Sequence, residues 1–71
     1  MKKNYHYAAL VLMGVKMEKK YFVISSDILA KSEGEIINLF VNANQFNEDD
    51  ADNCVGAVRL TDSQYKAVMG K

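Results

Sequence analysis

The sequence has no proline, one cysteine, one histidine and four glycines that never cluster. Each scarcity excludes something. Cys54 has no second thiol to pair with, so no disulfide inside the chain supports the fold, and a lone thiol suits a reducing compartment such as the cytoplasm. One His and one Cys cannot complete a tetrahedral zinc site, so no metal is expected. The isolated glycines at 14, 34, 56 and 70 form no phosphate-cradling loop, and no cofactor is expected. No apolar run approaches the ~20 residues of a membrane span. Acids and bases balance at nine each, which leaves no overall field to draw in nucleic acid.

A chain of 71 residues is read as a single domain over 1–71 with a thin core, because a domain of that size buries only about 60% of the surface its unfolded chain exposes. The opening MKKNYHYAALVLMGV has the lysines and apolar run of a secretory signal. Tyr5, His6 and Tyr7 break the run, however, and Lys16–Lys20 stands where a small-residue cleavage site belongs, so the segment is read as structure.

Two strands are predicted over 5–14 and 21–30, linked by a hairpin at 15–19 in which Gly14 supplies a bulge or a positive φ. Phe22, Ile24, Ile28 and Ala30 share one face of the second strand, and Tyr21, Val23 and Leu29 the other. Ser32-Glu33-Gly34-Glu35 fits a capping box and opens a helix to about Phe46, with Ile36, Ile37, Leu39, Phe40, Ala43 and Phe46 as its apolar side. NEDDADN, 47–53, reads as a solvated loop. Cys54–Leu60 is a third strand, and Thr61-Asp62-Ser63-Gln64 caps a short last helix carrying Tyr65, Val68 and Met69 and closing at Gly70.

The expected class is therefore α+β: a small ββαβ(α) domain whose three-stranded antiparallel sheet, in the order 2-1-3, carries one main helix on one face. A central first strand explains why LVLMGV is apolar on both faces. One helix covers one side of such a sheet, and the other is left as an apolar patch of the kind that marks a partner site or a dimer interface. The basic residues Lys2, Lys3, Lys16, Lys19 and Lys20 come early and Glu48, Asp49, Asp50 and Asp52 later, and the topology sets the acidic loop at the same end as the hairpin.

No catalytic residue is assigned. His6 and Cys54 fall on neighbouring strands, but nothing in the sequence offers the oxyanion site or cleft that nucleophilic catalysis needs. The acidic run lacks the glycine and terminal Glu of an EF-hand loop. The expectation is a non-enzymatic protein-binding module that docks on a larger protein. Tyr5, Tyr7, Tyr21 and Val23 are its candidate apolar contacts, and Asp49, Asp50 and Asp52 meet a basic surface. The alternatives are a nucleic-acid binder using Lys16, Lys19 and Lys20 beside Tyr21 and Phe22, and a homodimeric structural domain.

The hairpin LVLMGVKMEKKYF, with its V-x-M-G start, and the strand, serine cap and helix that follow resemble small bacteriophage-encoded accessory proteins, in particular the Dmd antitoxin family of T4-like phages. The resemblance covers the first half of the chain. It implies a non-enzymatic inhibitor that occupies the surface of a host protein. Anti-CRISPR proteins are similar in size and composition.

Overall fold

The computed structural model describes residues 4–70; Lys2 and Lys3, part of the early basic group, lie outside them. The elements in chain order are β1 (Tyr5–Met13), β2 (Glu18–Ser26), α1 (Glu33–Asn42), α2 (Glu48–Ala51), β3 (Cys54–Leu60) and α3 (Asp62–Gly70). The three strands form one antiparallel sheet in the order β2-β1-β3, so the expected α+β class and strand order hold.

The hairpin is tighter than its sequence suggested. Residues 14–17 make the turn, closed by the Met17 amide donating to the Gly14 carbonyl at 3.1 Å, with Gly14 at φ 81° and Met17 at φ 55°. Pairing therefore begins at Met13 and Glu18, and β2 runs over 18–26 instead of 21–30. Glu18, Lys19 and Lys20 join the strand because ladder bonds are made by backbone, while their side chains stay in solvent. The far end is set by Ser26, whose Oγ accepts from the Ile28 amide at 3.1 Å and turns the chain away. Ile28 and Leu29 are consequently exposed and belong to neither strand face.

Met17 stands in the left-handed region, where a Cβ costs about 1 kcal/mol or more. Met17→Gly is expected to stabilise the domain by about 1 kcal/mol, a rise of roughly 4–8 °C in Tm for a domain of this size. A thermal melt showing no rise would mean that the methionine side chain stabilises the turn by as much as its backbone strains it.

Ser32 caps α1 as expected, its Oγ accepting from the Glu35 amide at 3.2 Å. The return half of the box is displaced by one residue: Glu35 Oε1 accepts from the Lys31 amide, at 2.6 Å. The helix stops at Asn42 rather than near Phe46. Asn44 adopts φ 60°, and the amides of Asn44 and Gln45 donate to the carbonyls of Val41 and Phe40, both at 3.0 Å, which is the Schellman arrangement. Phe46 is still buried, since the reversal lays its ring parallel to Phe40 at 5.5 Å and edge-on to Phe22 at 5.1 Å.

The acidic run is also more ordered than a loop. Asn47 Oδ1 accepts from the Asp50 amide at 2.8 Å and starts the single turn α2, whose first residues are acidic, as suits the positive end of a helix. At the other end of the chain Thr61 and Gln64 form the complete reciprocal box, at 3.1 and 2.9 Å, and open α3.

The core lies on one side of the sheet. Tyr7, Ala9 and Val11 of β1 pack with Ala57 of β3, Ile36 and Phe40 of α1, and Ala30 and Phe46 from the connections. Between Leu10 and Val11 the β3 pairing steps from Gly56 to Cys54 and leaves Val55 unmatched, a bulge beside the glycine.

Candidate functional site

Cross-strand partners share a face, so the register defines both sides of the sheet. Tyr5, Tyr7, Ala9, Val11 and Met13 pair with Ser26, Ile24, Phe22, Lys20 and Glu18 on the helix side. His6, Ala8, Leu10 and Leu12 pair with Ser25, Val23, Tyr21 and Lys19 on the open side, where His6, Ala8 and Leu10 also meet Leu60, Val58 and Gly56.

The candidate contacts named from the sequence thus divide. Tyr21, 76% exposed, and half-buried Val23 lie on the open face. Tyr7 does not: it is fully buried on the helix side, its hydroxyl donating to the Ile28 carbonyl at 2.7 Å and accepting from the Ala30 amide at 2.9 Å. Tyr7 is a core residue and no surface contact. Tyr5 is on the helix side too, half-buried, with the Arg59 guanidinium 4.9 Å above its ring. Val58, 56% exposed, and Leu10 complete the open face and were not singled out by sequence.

At its centre is a shallow apolar hollow of about 200 Å³ lined by Ala8, Leu10, Tyr21, Gly56 and Val58. Gly56 forms part of its floor, and a Cβ there would meet no atom within 4 Å. The last helix covers only one end of this face. Tyr65 stacks on His6, with centroids 3.7 Å apart and planes 9° from parallel, while Val68 and Met69 remain exposed.

The charged hairpin and the acidic turn lie toward the other end of the sheet. Lys16, Lys19 and Lys20 are exposed at the hairpin, as are Asp49 and Asp52 near α2, with Asp50 half-buried. Leu12 pairs with Lys19 on one side and donates to the Asn53 carbonyl at 3.0 Å on the other, so the backbones of Lys19 and of Asn53, which follows the acidic turn, flank β1 about two strand spacings, roughly 10 Å, apart. Among the described residues no salt bridge joins them. The open face has an apolar centre with Lys19 at its hairpin end, while Lys20 pairs with Val11 on the helix side and Asp50 lines a recess there with Val41 and Phe46.

His6 and Cys54 are separated. They pair with Leu60 and Val11 respectively, five residues apart along β1, or about 17 Å. Cys54 Sγ instead approaches the Gly56 carbonyl at 3.3 Å. His6 has other neighbours that the sequence did not reveal: Ser25 Oγ lies 2.6 Å from its Nδ1 and Asp62 Oδ1 3.9 Å from its Nε2. The residue types are those of a hydrolytic triad, but the carboxylate is 86% exposed and beyond hydrogen-bond reach of the ring. The group serves as a clasp between α3 and the sheet. Among the described residues no cluster of His, Cys, Asp or Glu is placed to hold a metal ion, and no helix is long and apolar enough to cross a membrane.

The chain matches no protein-family model, no curated protein and no solved structure. The functional reading therefore rests on this geometry.

Proposed function

We propose that the protein acts by binding rather than by catalysis, docking its open sheet face on a larger folded protein. The carrying observation is the contiguous apolar surface of Leu10, Tyr21, Val23 and Val58, around a hollow that no element among the described residues covers. An apolar centre with a charged rim is the anatomy of a protein interface. Lys19, exposed at the hairpin end of this face, favours a partner whose own apolar patch carries a carboxylate on that side. In this reading the chain is a small inhibitor in the bacterial cytoplasm, as the likeness of its hairpin, serine cap and helix to phage antitoxins implies, and it blocks its target by occupancy.

Tyr21→Ser with Val23→Ser is the test, since both side chains face outward and neither is part of the buried core. A protein held in stoichiometric amount by the wild type after nuclease treatment, and lost by at least thirtyfold in affinity from the double variant, is expected, because aromatic anchors at an interface centre contribute about 2 kcal/mol or more. Equal retention by the two chains, with circular dichroism unchanged, would sink the open face as the site. Retention of nucleic acid alone would transfer the role to Lys16, Lys19 and Lys20.

A further inference from the structure

We infer that Ser25 is an activated nucleophile and a covalent modification site: its hydroxyl, held against His6, takes an acyl group from an activated ester. The step is one transfer to one residue, without turnover, and it stands whether or not a larger protein docks on the open face.

The backbone brings the pair together. Leu12 donates to Asn53 on the β3 side, so the even-numbered amides of β1 face β3 and the odd-numbered ones face β2. His6 and Ser25 therefore stand opposite each other without exchanging backbone bonds, the arrangement in which facing side chains come closest. Both project on the open side, and Ser25 Oγ lies 2.6 Å from His6 Nδ1.

The imidazole is oriented by α3. Tyr65 stacks on it at 3.7 Å, which fixes the plane of the ring, and 16% of the histidine side chain is exposed. Asp62 Oδ1 stands 3.9 Å from Nε2. That is too long for a hydrogen bond, but a carboxylate on that side favours the proton on Nε2 and leaves the Nδ1 lone pair to accept from the Ser25 hydroxyl. A hydroxyl within hydrogen-bond reach of a base that a third group orients is the signature of an activated nucleophile.

The other small hydroxyls are placed differently. Ser26, Ser32 and Thr61 use their oxygens to accept from backbone amides, and Ser63 is exposed on α3 but makes no hydrogen bond to the histidine. Ser25 is itself exposed, so an electrophile reaches Oγ from solvent. Its own amide makes no bond to β1 and points off the edge of the sheet, where it can donate to the oxygen that turns negative as the acyl carbon becomes tetrahedral. In the step, Oγ bonds to the acyl carbon while its proton passes to Nδ1. The bond from that carbon to the leaving oxygen breaks, and the proton departs with the leaving oxygen as a free alcohol or phenol.

p-Nitrophenyl acetate added to the full chain at neutral pH, with the adducts mapped by peptide mass spectrometry, tests this. One acetyl group on Ser25 is expected, formed well ahead of any on Ser63, the internal reference. His6→Asn keeps a side chain able to hydrogen-bond Ser25 but unable to take its proton, and should slow acetylation of Ser25 about a hundredfold. Acetyl groups confined to lysines, or equal rates at Ser25 and Ser63, overturn the inference. So does an unchanged rate at Ser25 in His6→Asn with circular dichroism unaltered, which would leave exposure as the cause. Should His6→Asn fail to fold, the comparison of Ser25 with Ser63 in the wild type decides alone.

Discussion

Phe40→Ala is expected to remove about 3–5 kcal/mol of stability, the typical cost of deleting a buried aromatic ring from a core that only partly collapses around the gap. Phe40 is 0% exposed and stacks on Phe46, which in turn meets Phe22 edge-on, so one truncation loosens contacts from α1, the α1–α2 connection and β2 together. At ordinary stabilities of about 0.05–0.15 kcal/mol per residue, 71 residues have roughly 4–10 kcal/mol in all. The variant should therefore lose a large share of its cooperative transition in urea followed by circular dichroism. A change below about 1 kcal/mol would show that Phe46 and Ile36 refill the space, contrary to a packed core.

Tyr7→Phe should cost about 1–3 kcal/mol although it deletes a single oxygen. That hydroxyl is both the acceptor for the Ala30 amide and the donor to the Ile28 carbonyl, so it substitutes for the ladder the chain leaves after Ser26. Ala30 is buried, and its amide has no water to turn to. Two readouts should move together: Tm falls by several degrees, and the Ala30 amide loses its protection in hydrogen exchange while Ala9 in the central strand keeps its own. An unchanged melt with Ala30 still protected would mean that another acceptor takes over.

The same residue shows where sequence reasoning stops. A hairpin link over 15–19 puts Tyr5, Tyr7, Tyr21 and Val23 on one face. The turn is one residue shorter and closes at 14–17, which pairs Tyr7 with Ile24 and sends it to the opposite side. Because side chains alternate with period two, that single residue exchanges the faces of β1 relative to β2. The strand's own composition could not settle the choice, since Tyr7, Ala9, Val11 and Ala8, Leu10, Leu12 are apolar in both phases. Apart from the single turn α2, the element order, the sheet order and both serine/threonine caps were legible because they rest on local grammar: the S-x-x-E and T-x-x-Q spacings, period-two strands and a right-handed crossover. The clasp of His6, Ser25, Tyr65 and Asp62 was not, because it depends on how α3 leans against the sheet after residue 61, which no local spacing encodes.

The Glu33 carboxylate seated on the Ala57 amide has a consequence for growth. Strand addition propagates indefinitely only when each unit presents two complementary ends, as in a filament. Here one margin of the sheet is occupied by a side chain of its own chain, held there by a helix that is part of the folded core. With that margin closed, an added strand can join this sheet only along β2, and growth from both margins at once is blocked.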